Sequence, residues 1–193
     1  MREEVISRLE SFILDKISET RLPGLSIAII EDSNIVYSRA FGYRDIKSGL
    51  PSTPNTLYGI GSVTKSFTAL AVMQLVEKEL LDVDDPVEKY VPLNLKVFGE
   101  SVKIHHLLTH SSGIPALAYA EAFIRGVLGD TDSWLPLSKP EDIIVFMKDA
   151  DKWAVAKPGE KFYYLNEGYV LLGQIISRLS GLRYEKYVEE KNI

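Results

Sequence analysis

The stretch GSVTKSFTALAVMQLVEKELLD, residues 61–82, combines a long helical pattern with a serine and a lysine three residues apart near its start. Its apolar residues recur at the spacing of an α-helix and predict a helix over residues 62–78. The face that we expect to be buried is mostly apolar and consists of Val63, Phe67, Leu70, Ala71, Gln74 and Leu75. This assignment places Ser62 and Lys65 in the first turn of the helix.

Ser62 and Lys65 are spaced so that their side chains meet. Residues i and i+3 lie on one face of a helix, with Cβ atoms about 5–6 Å apart. A helix N-terminus disfavours a lysine cation, and partial burial lowers a lysine pKa further. A neutral lysine can accept the serine proton, and the unpaired N–H of Ser62 can donate to an oxyanion. The alternative is that Ser62 is an ordinary helix N-cap, because Ser-x-x-Lys is common by chance.

A second polar pair, Tyr164 and Asn166, precedes the last predicted helix. A tyrosine near a lysine can relay protons, and an asparagine amide can hold a substrate amide. The alternative is that Tyr164 packs in the core and Asn166 caps the helix.

His106 and His110 are four residues apart in HHLLTHSSGIP, a spacing that can place two metal ligands on one helix face. The zinc-binding helix of metalloproteases has a glutamate directly after its first histidine, and Leu107 stands there instead. No third ligand is evident in the sequence. We therefore expect two structural histidines beside a tight turn, with no metal and no cofactor.

The remaining elements surround these segments. In chain order they are an amphipathic helix over residues 2–19, a β-hairpin of strands 25–31 and 34–42, a loop over 44–57, a short helix before Pro92, a helix over 104–109, a mixed region over 114–140, a helix beginning near Pro140 and a last helix ending at Gly181. The buried face of the last helix is expected to contain Leu172, Ile175, Ile176 and Leu179. Since a two-stranded sheet alone is marginal, helices or further strands must cover it.

The composition excludes several classes of function. The net charge is −5 and no Lys/Arg cluster stands out, which argues against a nucleic-acid partner. The chain has no cysteine, which excludes disulfides, thiolate metal sites and cysteine nucleophiles. No apolar run is long enough to span a bilayer and the N-terminus does not resemble a secretory signal, so we expect a cytoplasmic protein with no membrane partner.

The segment GIGSVTKS superficially resembles a phosphate-binding loop. Thr64 precedes Lys65 where that loop requires glycine, and the sequence before it is a poor strand. Nucleotide binding is therefore a weak alternative.

Three segments together resemble one family. They are GSVTKSFTALAVMQLVEKELLDVDDPVEKYVP, VKIHHLLTHSSGIP and PGEKFYYLNEGYVLLGQIISRLSG, in this order and at this spacing. They look like the serine β-lactamase and penicillin-binding-protein superfamily, in the branch of class C β-lactamases, D-amino-acid-specific peptidases and esterases. The implied fold is α+β, an antiparallel sheet flanked by helices plus a mostly helical region.

The resemblance also implies roles for four residues. Ser62 would be the acylated nucleophile, and Lys65 would help to deprotonate it. Tyr164 would share the acid and base work, and Asn166 would bind the acylamide of the substrate. Three aromatic residues of the segment 114–140, Tyr119, Phe123 and Trp134, would border the cleft or simply pack between helices.

Two departures from the family pattern affect this reading. Leu165 stands where the family usually has a small residue such as Ala or Ser. The family's third motif, Lys/His-Ser/Thr-Gly, does not follow Asn166. We therefore expect residues 1–193 to be the N-terminal part of a single catalytic domain whose C-terminal sheet strands are missing from this chain. Residues 1–50 would form a helix and two strands, and residues 51–193 the mostly helical region.

The expected function is that of a serine acyl hydrolase forming an acyl-enzyme on Ser62. The substrate would be a small molecule or peptide with an amide or ester bond. A cytoplasmic location favours a peptidase, including one for D-residue peptides, or an esterase over a β-lactamase. The alternative is a non-catalytic or acylation-only binding or sensor module on the same fold. The expected partners are the remaining C-terminal portion of the domain and further copies of the chain in a homo-oligomer.

Overall fold

A computed structural model of the chain describes residues 3–116 and 139–191. The polypeptide divides into two units, Met1–Gly59 and Ile60–Ile193. In the described parts of the chain, no helix is both long and apolar enough to cross a membrane.

The first unit contains one helix and a three-stranded antiparallel sheet. Its elements are α1 (Glu3–Thr20), β1 (Gly24–Glu31), β2 (Asn34–Asp45) and β3 (Leu50–Pro51), with the strand order β1-β2-β3. The helix and the hairpin predicted from sequence are confirmed. Asp32 and Ser33 both have positive φ, 48° and 64°, which is the backbone of the tight turns that join twisted strands.

The prediction of a loop over residues 44–57 is wrong at residues 44–45 and at residues 50–51, which lie in strands. Strand β2 continues to Asp45 and β3 pairs with it, with Tyr43 opposite Pro51. Strand β3 has only two residues, too few to show an alternating pattern, and Pro51 is tolerated because it lies in an edge strand.

The second unit is mostly helical. Its α-helices are α2 (Thr64–Glu77), α3 (Ile104–Leu108), α4 (Pro140–Met147), α5 (Asn166–Ser180) and α6 (Tyr184–Lys191), with a small hairpin of β4 (Lys96–Val97) and β5 (Glu100–Ser101) and 3-10 turns at Gly61–Val63, Val87–Lys89 and Ala150–Lys152. The β4–β5 hairpin could not be predicted from the sequence, because two-residue strands leave no periodic signal.

Helix α5 lies at the centre of this unit and packs against α2, α3, α4 and α6. Leu172, Ile175 and Ile176 are fully buried, as predicted, and each such side chain contributes about 1.5–3 kcal/mol to folding. Leu179 is half-buried at the edge of the same cluster. Gly181 ends the helix with φ of 72°, the left-handed C-cap that its sequence position predicted.

The buried face of α2 differs from the prediction. The buried residues are Thr68, Ala71, Val72 and Leu75, whereas Val63 and Leu70 are 59% and 48% exposed. The helix also begins at Thr64, because Gly61–Val63 forms a 3-10 turn before it. A helix that is apolar on nearly all sides gives little directional signal, so contacts with α5 and α6 decide which side is buried.

Candidate active site

Ser62 lies in the 3-10 turn that leads into α2, and it is exposed. The helix cap position is Val63, and no side chain makes a capping hydrogen bond there. Ser62 is therefore not an N-cap, and its hydroxyl is directed to other partners.

Lys65 lies in the first turn of α2 and its side chain joins two segments of the unit. Its Nζ is 3.3 Å from Ser62 Oγ and donates to Asn166 Oδ1 at 2.7 Å. The same Nζ atom lies 4.7 Å from the centroid of the Tyr164 ring. Lys65 is thus in contact with each of the other three residues that the sequence analysis selected.

Tyr164 lies just before α5 and its Oη donates to Ser62 Oγ at 2.6 Å. Hydrogen bonding to Lys65 and then to Ser62 lowers the pKa of the Tyr164 phenol below its usual range. The residue is 41% exposed, so Tyr164 does not belong to the core.

Asn166 is the first residue of α5, and the cap position before it is Leu165. No side-chain capping bond is present there, so Asn166 does not act as a cap. Its Oδ1 is occupied by Lys65, which leaves the donor capacity of its Nδ2 amide for another group.

His110, expected from the sequence to be a structural histidine beside a tight turn, also lies in this site, which the sequence did not predict. Its Nδ1 accepts a hydrogen bond from the backbone N–H of Leu165 at 3.1 Å, and its ring centroid lies 4.5 Å from that of Tyr164 and 5.1 Å from that of Tyr169. Burial and then the charge of Lys65 lower the pKa of His110. A neutral histidine with its proton on Nε2 therefore holds the segment that carries Tyr164.

His106 and His110, the candidate metal pair, bind different backbone groups. His106 Nδ1 accepts from the N–H of Lys103 at 3.0 Å, at the start of α3, whereas His110 binds Leu165. Burial and then His105 lower the pKa of His106 to about 4. Across residues 3–116 and 139–191 no group of three or more His, Asp or Glu side chains is placed to hold a metal ion.

Two further expectations concern the three aromatic residues of the segment 114–140 and the phosphate-binding loop. Tyr119, Phe123 and Trp134 lie outside the described residues. The phosphate-loop alternative lacks its structural context, because β3 ends at Pro51 and no strand leads directly into the turn at Gly61.

The arrangement concentrates hydrogen-bond donors on one oxygen atom. Tyr164 Oη and Lys65 Nζ both approach Ser62 Oγ. The phenol O–H of Tyr164 and the N–H groups of Lys65 Nζ can both stabilise negative charge on that oxygen. The geometry therefore suits a serine that becomes an alkoxide during a reaction.

Comparison with known sequences identifies related proteins. The model of the Beta-lactamase family matches residues 9–192. Protein flp of Staphylococcus aureus (strain NCTC 8325 / PS 47) is 30% identical over 184 residues, which cover 94% of this chain and 35% of that protein. Penicillin-binding protein 4* of Bacillus subtilis (strain 168) is 30% identical over 164 residues, covering 85% of this chain and 34% of that protein. The chain thus spans about a third of the length of these relatives.

Solved structures with the same fold agree with this assignment. The octameric penicillin-binding protein homologue from Pyrococcus abyssi has a TM-score of 0.85 and 60% identity, over 97% of this chain and 42% of that chain. The D-amino acid amidase from Ochrobactrum anthropi SV3 has a TM-score of 0.71 and 27% identity, over 93% of this chain and 46% of that chain. The α+β fold class predicted from the sequence is confirmed by these matches.

Proposed function

The chain belongs to the Beta-lactamase family, and from this membership and the geometry around Ser62 we propose that it acts as a serine acyl hydrolase. In this proposal Ser62 is the nucleophile and is acylated by the carbonyl group of an amide or ester substrate. Lys65 and Tyr164 act as general base and acid, and Asn166 binds the acylamide of the substrate.

One observation carries the proposal. Tyr164 Oη is 2.6 Å and Lys65 Nζ is 3.3 Å from Ser62 Oγ, so two groups able to exchange protons lie within reach of one hydroxyl. A general base must be within hydrogen-bond reach of the proton that it removes, and both distances meet or approach this requirement.

Acylation begins with transfer of the Ser62 hydroxyl proton to the Tyr164–Lys65 pair. Ser62 Oγ then forms a bond to the substrate carbonyl carbon, and the carbonyl electrons move to its oxygen. Collapse of this tetrahedral intermediate breaks the bond to the leaving nitrogen or oxygen, and Tyr164 donates to that atom the proton that came from Ser62. The acyl group now remains on Ser62 as an ester.

Deacylation repeats these proton transfers with water. A water molecule gives a proton to the Tyr164–Lys65 pair and attacks the ester carbon, and Ser62 Oγ recovers the proton as it leaves. The lowered pKa of Tyr164 supports this role, because a phenol that ionises more readily is a better match for proton transfer near neutral pH.

Asn166 is suited to orient the substrate. Since Lys65 occupies its Oδ1, the Nδ2 group can donate to a substrate carbonyl. This favours substrates with an acylamide near the scissile bond, as in peptides. The similarity to the D-amino acid amidase supports a peptidase or amidase, including one acting on D-residue peptides, ahead of an esterase.

We also propose that residues 1–193 form the N-terminal part of one catalytic domain, which a C-terminal portion completes. The partial coverage of the relatives, 35% and 34%, supports this reading.

Assembly into a homo-oligomer is proposed from the similarity to an octameric homologue, and light scattering of the purified protein tests it.

A time course of intact mass with a p-nitrophenyl ester tests the proposed function. The expected result is an acyl adduct that forms on wild type and then decays with release of the acid. An adduct that persists would favour the sensor alternative. Absence of any Ser62-dependent adduct on the domain completed by its C-terminal portion would overturn the proposal. Ser66→Ala, at an exposed position in the first turn of α2, is the matched control.

A further inference from the structure

Two aromatic rings lie beside the side-chain amine of Lys65. Its Nζ is 4.7 Å from the centroid of the Tyr164 ring and 5.4 Å from the centroid of the Tyr169 ring. The face of an aromatic ring carries negative charge density and attracts an ammonium group that lies within about 6 Å of the centroid. Tyr164 takes part in the proposed proton transfers, whereas Tyr169 has so far been given no role.

The ring of Tyr169 is fixed at both of its ends. At one end helix α5 carries Tyr169 three residues after Asn166, so the two side chains leave the helix on the same face. At the other end Tyr169 Oη donates to the carbonyl of Leu108, the last residue of α3, at 2.9 Å. The half-buried ring also packs against the core of the second unit. The surface that Tyr169 presents to Lys65 is therefore held in place by two helices.

The other contacts of Lys65 leave its position dependent on such a surface. Its Nζ donates to Asn166 Oδ1 at 2.7 Å and lies 3.3 Å from Ser62 Oγ, and both acceptors are neutral. A neutral acceptor holds an ammonium group less strongly than a carboxylate does. The lysine stem is also long and flexible. A ring face beside the ammonium group adds attraction that favours this one position of the side chain.

Tyr164 and Tyr169 differ in how readily they lose a proton. Burial and then the charge of Tyr164 raise the pKa of Tyr169. Hydrogen bonds to Lys65 and then to Ser62 lower the pKa of Tyr164. Tyr169 uses its proton in the bond to a backbone carbonyl, so it stays a neutral phenol while Tyr164 titrates. A ring that stays neutral suits a positioning role and not a proton-transfer role.

We propose that Tyr169 is a positioning residue whose ring face holds the Lys65 ammonium group against Ser62 and Tyr164, and so controls how readily Tyr164 exchanges a proton. The inference rests on the proposed function, in which the Tyr164–Lys65 pair transfers the proton of Ser62. Tyr169 acts through Lys65 and neither takes nor gives a proton itself.

A matched pair of variants isolates the ring face. Tyr169→Phe keeps the ring, and replacement of Tyr169 by pentafluorophenylalanine keeps a ring of similar size and shape. Both lose the hydrogen bond to Leu108, so this loss cancels when the two are compared. Fluorine atoms withdraw electrons from the ring and remove the negative charge density of its face, so the fluorinated ring no longer attracts an ammonium group.

The titration of Tyr164 is followed by NMR of ¹³C-labelled tyrosine in the domain completed by its C-terminal portion. The Tyr164 signal is assigned by its loss in Tyr164→Phe. The range above about pH 7 is used, where His110, with its lowered pKa, stays neutral. Since the Lys65 hydrogen bond is the largest influence that lowers the Tyr164 pKa, this pKa should be higher in the fluorinated variant than in Tyr169→Phe. Acylation of Ser62 at pH 7 should be about tenfold slower in the fluorinated variant.

Coincident Tyr164 titration curves for the two variants would overturn the inference, because the ring face would then have no effect on the Lys65–Tyr164 contact. Tyr169→Leu provides a second test, since it removes the ring and should also raise the Tyr164 pKa above that of Tyr169→Phe. No such rise in folded Tyr169→Leu would equally count against the role of the ring. The proposed function fails separately, if the completed wild-type domain forms no adduct at Ser62 while the Tyr164 titration still depends on the ring face.

Discussion

Tyr164 donates a hydrogen bond of 2.6 Å to Ser62 across 102 positions of sequence. The bond joins the turn before α5 to the turn before α2, and Lys65 lies against both residues. The two helices pack against each other, so the same core that stabilises the unit also sets the position of the hydroxyl. The chemistry at Ser62 therefore depends on how α2 and α5 are held together.

Lys65→Ala should lower the rate of Ser62 acylation by about 10²–10⁴, the range typical of a lost general base. The hydrogen bond from Lys65 is the largest influence that lowers the Tyr164 pKa, so this pKa should rise in the variant. If acylation requires ionised Tyr164, the acylation rate of Lys65→Ala should therefore reach its plateau at a higher pH than that of wild type. The pH dependence of acylation, measured for both proteins, checks this. An unchanged pH profile would show that Lys65 does not tune Tyr164.

Tyr164→Phe removes the hydroxyl while keeping the ring that packs on His110. We expect acylation to fall by about 10²–10⁴, as for loss of a proton-transfer group. The free energy of unfolding should change by less than about 1 kcal/mol, since the lost hydrogen bond is at an exposed site. Single-turnover kinetics and urea denaturation measure the two quantities. A near-normal rate would exclude Tyr164 from proton transfer.

His110 can be tested by a pair of substitutions. His110 has φ of 58°, and its Nδ1 accepts from the buried N–H of Leu165. His110→Ala should destabilise the protein by about 1–3 kcal/mol through the unpaired N–H, since the cost of the left-handed backbone is already present with histidine. His110→Asn should cost less, because asparagine tolerates this backbone and its Oδ1 can accept the bond. Equal destabilisation in urea would contradict this account of His110.

His106 should make the stability of the protein pH-dependent. Its pKa is lowered to about 4 in the folded protein, so below its ordinary value of about 6.5 the unfolded chain binds the extra proton. This contribution is therefore complete above about pH 6.5 and is lost as the pH falls to about 4, with a maximum loss of about 3 kcal/mol.

Denaturation of His106→Asn across this pH range provides the test. The Asn side chain can still accept from the N–H of Lys103 but does not titrate, so the variant should lose less stability toward acid than wild type. His105→Asn, at the neighbouring position of α3, should retain most of the dependence, because burial lowers the His106 pKa more than His105 does. Parallel curves for wild type and His106→Asn would rule out His106 as the source.

The parts of the molecule that the sequence predicted are those with strong local signals. Periodic apolar residues predicted α5, and Gly181 predicted its end. The segments containing Ser62, Lys65, Tyr164 and Asn166 identified the family, which is confirmed, while the roles of these residues stay predictions. The structure shows that the four residues lie together.

Other features depend on contacts that local patterns do not contain. The buried side of α2 follows from packing against α5 and α6, because the helix itself is apolar nearly all round. The place of His110 depends on a hydrogen bond to Leu165, 55 residues away. The buried amide of Gln174 has no hydrogen-bond partner among the residues that the structure describes, a property that depends on the packing around it and not on the local sequence.

The central claim is that Ser62 is an activated nucleophile, and the intact mass of the chain after incubation with a fluorophosphonate probe tests it most directly. We expect a single adduct on wild type and on Ser66→Ala, and none on Ser62→Ala. Ser62 is exposed and caps no helix, so Ser62→Ala should remain folded, with a free energy of unfolding within about 1 kcal/mol of wild type. An adduct of equal yield on folded Ser62→Ala, or no adduct on folded wild type that includes the C-terminal portion of the domain, would contradict the account.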